Sequence, residues 1–298
     1  MNKIEAFLDK NDLSIRSYQK KGNISIIDTN RGKYVIKNKF LDDLRLYSYL
    51  DNRNFPYLLD FDSVNDYDIY PYIEEVDIPV PEKGIELVYI LSLLHNKTTY
   101  YREVSMDDVK KIYEDTLGEI TYLDTYYHEL QDIIEQKVYM SPEEYLLIRN
   151  ISFVYSALDF SRERLEEWYK KKSEKKKERV VLLHNKPCLE HLLIGDNKSL
   201  ISWEESSRGI PIYDFIYFYK HDYMNVEMST LFDIYQSKFL YTEDEYLLFL
   251  SLISIPGKLK WGSNHYSNSE NTYFFVRYVT KTRDFILKEN EKTKKEDE

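Results

Sequence analysis

One stretch constrains the chain more than any other: Val180-Val181-Leu182-Leu183-His184-Asn185-Lys186-Pro187-Cys188-Leu189-Glu190-His191-Leu192-Leu193-Ile194, followed after a turn by Leu200-Ile201-Ser202-Trp203-Glu204. It reads as strand, tight polar loop, strand, turn, strand. The ionisable and polar residues His184, Asn185, Lys186, Glu190 and His191 sit between two apolar runs, which is how a rigid scaffold presents a loop at the mouth of a cleft. A fold that contains this stretch has to bury the apolar runs on both sides and leave the loop accessible.

The rest of the chain is long enough to do so. With 298 residues, 43% hydrophobic and 31% charged, it can bury one large core or two coupled smaller ones. A net charge of -11 repels phosphate backbones, so no nucleic-acid partner is expected. The single cysteine, Cys188, excludes an intrachain disulfide and a cysteine-rich zinc site. It reads as a packed thiol, although His184, Lys186 and His191 nearby would lower its pKa. Charges interrupt the N-terminus too often for a signal peptide, and no apolar run approaches the ~20 residues of a membrane span, so the expectation is a cytoplasmic protein with no membrane partner. The 29 tyrosines fit either the codon bias of an AT-rich genome or a surface of amphipathic aromatic contacts.

In chain order, residues 2–10 suggest a short helix. Ile15 to Tyr18, Ile24 to Asp28 and Lys33 to Lys37 suggest three strands joined at Gly22 and at Asn30-Arg31-Gly32. Lys37 ends the third strand before a helix around Leu41 to Leu50. Phe55 to Phe61 is extended, and Tyr67 to Ile73 forms a further strand. A helix through Ile85 to His95 then carries Leu87, Ile90, Leu91 and Leu94 at helical spacing, with His95 as a capping residue at its end. Residues 106–136 and 142–170 read as long amphipathic helices, the second opened by Ser141-Pro142-Glu143-Glu144. Lys170 to Arg179 holds seven basic and two acidic residues and reads as a solvated helix end or a docking patch. Arg208-Gly209-Ile210-Pro211-Ile212-Tyr213-Asp214-Phe215 turns into a helix, with helices over Met228 to Tyr241, Glu243 to Ser254 and Asn271 to Lys288 after it. The polar tail Glu289 to Glu298 is expected to fray.

This order of parts resembles the aminoglycoside phosphotransferase and choline kinase-like superfamily, closest to its bacterial spore-coat branch, over roughly residues 15–290. The resemblance implies an α+β, bilobal protein kinase-like fold. It would have a small antiparallel β-rich N-lobe with its connecting strand (1–74), a larger, mostly helical C-lobe (75–290) and a polar tail (291–298). It also implies a nucleotide or other anion in the interlobe cleft, with Lys37 on the phosphates, Tyr70, Tyr72 and Ile73 of the connecting strand beside it, and Asp214 bracing the loop.

In such families the loop runs His-Gly-Asp, four residues, Asn, and a later strand carries an Asp. Here His184 matches, while Asn185 stands for Gly, Lys186 for the catalytic Asp, His191 for the Asn and Ser202 for the metal-binding Asp. Phosphoryl transfer rests on positioning and charge neutralisation, and magnesium takes oxygen ligands, so losing two carboxylates to Lys and Ser moves the local charge by about three units. A lysine of reference pKa ~10.4 cannot accept a hydroxyl proton at neutral pH unless desolvated. Two rescues remain. Glu204, sharing a strand face with Ser202, would serve as a lone metal ligand, or Lys186 would neutralise a phosphate without metal. The sequence therefore points to a degenerate kinase fold acting on an unidentified protein partner by binding or scaffolding, in the cytoplasm or in a spore-coat assembly, with ATP binding open and no standard magnesium site. The alternative is an ATP-dependent small-molecule phosphotransferase with a non-standard metal site. No partner for Lys37 stands out, Asp42 and Asp43 being the nearest acids.

Overall fold

A computed structural model describes residues 5–22, 24–39 and 43–296 of the chain. Helix α1 (Glu5–Lys10) precedes the strands β1 (Ile15–Lys21), β2 (Ile24–Thr29) and β3 (Gly32–Asn38). Helix α2 (Asp43–Asp51) and the strands β4 (Asp62–Val64) and β5 (Tyr67–Pro71) follow. The five strands form one antiparallel sheet in the order β1-β2-β3-β5-β4. Residues 2–4 of the expected first helix lie outside the described residues. Alternation along β2 and β3 buries Ile27 and Ile36, which with Phe7 and Ile69 make a small core under the sheet.

The larger lobe begins at α3 (Val80–Thr98), followed by β6 (Tyr100–Glu103), α4 (Met106–Glu135) and α5 (Pro142–Ser173). Pro142 occupies the first turn of α5, where its missing N–H costs nothing, and the Glu144 carboxylate accepts the Ser141 N–H at 2.9 Å. Next come β7 (Lys177–Leu183), β8 (Leu192–Ile194), β9 (Lys198–Leu200) and β10 (Ser207–Gly209). Four helices complete the lobe: α6 (Ile212–Asp222), α7 (Met228–Lys238), α8 (Glu243–Ser254) and α9 (His265–Glu296). The large core runs from Leu87 and Leu91 of α3 through Leu158 and Trp168 of α5 to Phe215, Phe232 and Phe249, the last two rings stacked at 4.8 Å. Leu50 and Phe55, ahead of the expected lobe boundary, belong to this core, and the Tyr57 carbonyl accepts the Leu200 N–H at 2.9 Å. The fold is bilobal and kinase-like, an antiparallel small lobe on a mostly helical large one. No helix among the described residues is long and apolar enough to cross a membrane.

Several local expectations change. The segment 170–179 is largely the solvated helix end expected, with residues 170, 171 and 173–177 exposed, but Lys172 is buried, 3.0 Å from Glu178 and 3.2 Å from Asp244. Arg179 Nε donates to Glu245 at 3.1 Å with its guanidinium 4.1 Å from the Phe239 ring. Basic residues crowd here because β7 and α8 present carboxylates to them. The polar tail does not fray at Glu289, since α9 continues to Glu296 and Glu289 itself is buried. The strand through Leu200 ends there, and Trp203–Glu205 is a single 3-10 turn.

Candidate functional site

The loop from His184 to His191 is delivered by β7, the middle strand of the β10-β7-β6 sheet. Asp214, fully buried in the first turn of α6, holds it: its carboxylate accepts the N–H groups of His184 at 2.9 Å and Asn185 at 2.7 Å. The same carboxylate faces Nε2 of His95 at 3.0 Å, and His95 Nδ1 meets the Tyr235 hydroxyl at 2.6 Å. His95 is therefore no helix cap: it is fully buried and ties α3 to α6 through Asp214 and to α7 through Tyr235. Its place one turn before the end of an amphipathic helix concealed this, because helical periodicity does not say what a polar residue on the buried face meets.

His184 is fixed as a neutral imidazole. Its Nε2–H donates to the Ile201 carbonyl at 2.8 Å and its Nδ1 accepts the Lys186 N–H at 3.3 Å. Burial pushes its pKa down to about 4 against the opposing charge of Asp214. Asn185 adopts a left-handed φ of 67°, a conformation asparagine tolerates better than most residues, and its amide donates to the Ser207 hydroxyl at 2.8 Å. His191 Nδ1 sits 2.7 Å from the Lys186 carbonyl, so that nitrogen closes the loop. Cys188 is buried, and desolvation raises its thiol pKa, which opposes a thiolate nucleophile.

Between the lobes lies a cavity of about 230 Å³. Ile24, Ile26 and Val35 of the sheet and Leu193 and Ile201 of the large lobe give it apolar walls, and Tyr70, Tyr72 and Ile73 form its edge. The Tyr72 N–H is engaged by the Lys33 carbonyl at 3.0 Å. The strand expected to reach Ile73 ends at Pro71, and the turn after β8 comes close behind the connecting segment that follows: the Val76 N–H donates to the Ile194 carbonyl at 2.7 Å, and a Cβ on Gly195 would lie 2.8 Å from Ile73 Cγ2. Sequence reading passed over Gly195, whose signal was a glycine in the turn Ile194-Gly195-Asp196-Asn197.

At the inner end of the cavity Lys37 Nζ pairs with Glu204 at 3.0 Å, joining the small-lobe sheet to the large-lobe turn. Asp42 and Asp43, considered earlier as its partner, have side chains outside the described residues. Burial would raise the Glu204 carboxyl, but its backbone hydrogen bond and the Lys37 ammonium outweigh it, so its pKa lies below the ordinary value. Ser202 has a left-handed φ of 68° and does not share a strand face with Glu204, so the alternation argument that let Glu204 stand in as a lone metal ligand fails. Lys186 is paired with Glu205 at 3.1 Å, a partner not singled out from the sequence despite standing next to Glu204. The cleft is thus not carboxylate-poor, since a glutamate faces each of Lys37 and Lys186. An ammonium, an imidazole with Nδ1 already bonded and a serine hydroxyl make a poor donor set for magnesium, which prefers carboxylate and carbonyl oxygens. The apolar walls, by contrast, suit a flat aromatic ring.

No family model matches the chain, and no curated protein is similar to it. Solved structures are. An aminoglycoside phosphotransferase from Alicyclobacillus acidocaldarius superposes with a TM-score of 0.72 at 13% identity, over 97% of this chain and 96% of that one. A spectinomycin phosphotransferase in its AMP-bound complex gives 0.56 at 14% identity, over 93% and 98%. A choline kinase from Streptococcus pneumoniae gives 0.51 at 14% identity, over 94% and 98%. At these identities the likeness shows the fold.

Proposed function

We propose that this chain is a pseudokinase: a kinase-fold protein whose interlobe cavity holds a flat aromatic ligand of the nucleotide type, and which acts on a protein partner by binding or scaffolding. The observation that carries this reading is the Lys186 ammonium, held by Glu205 at 3.1 Å, at the loop position where the resemblance expects a carboxylate base. A protonated amine in an ion pair cannot take a proton from a substrate hydroxyl. His184 does not replace it, because both of its ring nitrogens are already bonded, Nε2 to the Ile201 carbonyl and Nδ1 to the Lys186 N–H. That the spectinomycin phosphotransferase of the same fold forms a complex with AMP supports a nucleotide-type ligand. The spore-coat resemblance supplies a cytoplasmic or coat assembly as the setting for a partner.

A thermal shift titration with ATP, with and without magnesium, on wild type and Lys37→Ala, run beside an ATP turnover assay, tests the reading. Stabilisation that does not need magnesium, without turnover, is the expected result. Turnover together with magnesium-dependent stabilisation lost in Lys37→Ala would overturn it.

One observation favours a second reading, a phosphotransferase with a displaced metal site: the Glu204 carboxylate lines the cavity beside Lys37. Under that reading Glu204→Gln abolishes the magnesium dependence.

A further inference from the structure

A second cavity, of about 430 Å³, lies where α6 ends, α7 begins and α9 passes, and shares no lining residue with the interlobe cavity. One stripe of α9 faces it: Arg277, Lys281, Asp284 and Lys288, spaced by four, three and four residues and so aligned on a single helix face. Tyr219, Tyr223, Val226, Met228 and Phe285 give it aromatic and aliphatic walls.

The cations in this stripe are unequally used. Lys288 pairs with Glu227 at 2.8 Å. Lys281 donates to the Tyr223 carbonyl at 2.8 Å, which leaves two of its three donors uncommitted by that bond. Arg277 has no side-chain hydrogen bond or ion pair among the described residues, and its Nε is buried without a partner. The other arginine with a buried unpartnered Nε, Arg164, pairs through Nη2 with Glu167 at 2.8 Å. Asp284 is exposed on the rim and forms no ion pair with Arg277 or Lys281.

A buried donor on a charged group is costly when unsatisfied, and a guanidinium meets a planar oxyanion through two parallel N–H bonds. Glu227 at the start of α7, the other carboxylate in the lining, is engaged by Lys288, which leaves Arg277 and Lys281 as the cations available to an anion.

We propose that this cavity is a second ligand site for a small organic oxyanion, a carboxylate or a phosphate monoester with an apolar body. Arg277 clamps the anion, Lys281 is the second cation, and the aromatic walls cover the body. The assignment does not depend on what occupies the interlobe cavity.

The test is a thermal shift titration of the full chain with inorganic phosphate and, separately, with benzoate, each against sodium chloride at matched ionic strength. It is run on wild type, Arg277→Gln, Arg277→Lys and Lys37→Ala. The expected result is a saturable rise in Tm with at least one anion, retained in Lys37→Ala, weakened in Arg277→Lys and lost in Arg277→Gln. Which anion acts identifies the headgroup. No saturable shift with either anion in wild type overturns the proposal, as does a shift that survives in Arg277→Gln. Should Arg277→Gln fail to fold by circular dichroism, Arg277→Lys decides: an undiminished shift there counts against the clamp and a weakened one for it.

Discussion

The ion pairs of the interlobe cleft and those at the corner of α5, β7 and α8 use the same residue types in opposite settings. In the cleft, the side chains of Lys37 and Glu204 are 24% and 42% exposed and those of Lys186 and Glu205 45% and 59%. At the corner, those of Lys172, Glu178 and Asp244 are 4%, 5% and 4% exposed. Water screens the first set, so each pair contributes about 0–1 kcal/mol to stability. In the second set, removing one partner leaves a charge in a poorly solvated place, at a cost of about 3–5 kcal/mol. The exposed ion pairs of the cleft thus contribute less to the fold than the buried ones at the corner. Exposed charges in the cleft can therefore be exchanged with little penalty to folding.

Lys172→Met gives the largest expected effect. Urea denaturation should show a loss at the low end of that range, about 3 kcal/mol, because Glu178 keeps Arg102 at 2.7 Å and Asp244 keeps Lys175 while both lose the buried ammonium between them. Lys37→Met should stay within about 1 kcal/mol of wild type. If the two ranked the other way, the cleft pair would be what holds the lobes together.

Acid should act next, through His184. Its folded pKa of about 4 lies below the ordinary 6.5, so the unfolded chain takes up the proton first as pH falls. Its contribution is therefore fully present above pH 6.5 and is lost on the way down to about pH 4. At 1.36 kcal/mol per pKa unit this amounts to about 3 kcal/mol. Asp244 acts in a lower window: with a folded value of about 2 against 3.8, its contribution holds above the unfolded value and fades as pH approaches 2. Burial alone would raise that carboxyl, and hydrogen bonds from Lys175 and Thr242 with the charge of Lys172 outweigh it. Urea melts of His184→Gln at several pH values should flatten the upper window and leave the lower one. A stability profile between pH 6.5 and 4 that is unchanged by the substitution would refute the neutral, buried assignment.

The bilobal order was legible from the sequence, because strand alternation and helical spacing are local properties: α8 falls on Glu243–Ser254 as the pattern indicates. What those elements bring together was not. Lys37 and Glu204 are 167 residues apart, and neither lysine's partner follows from periodicity. Within the charge-rich segment 170–179, Lys172 escaped the reading as a solvated helix end for the same reason, since composition alone cannot distinguish a solvated lysine from one that two carboxylates meet inside the fold. Ser202 misled through backbone shape, its left-handed φ having no signature in a serine that follows an apolar strand.

The smallest expected effect isolates the cleft from the fold. Gly195→Ala sets a methyl 2.8 Å from Ile73 Cγ2 and 3.1 Å from the Glu74 carbonyl, so the connecting segment has to give way by a few tenths of an ångström. Overpacking costs about 1–3 kcal/mol and the lower entropy of an unfolded alanine returns about 0.4–1, leaving a net loss near 1 kcal/mol. Ligand affinity in the interlobe cavity should suffer more than stability does, because Ile73 and Tyr72 form the cavity edge that the new methyl displaces. Titration of the variant and wild type with the same nucleotide, beside their urea melts, separates the two quantities. Equal affinity with reduced stability would mean that the edge is not part of the binding surface. Reduced affinity at near-wild-type stability would place the binding function in the half-exposed cleft, apart from the buried corner that holds the fold.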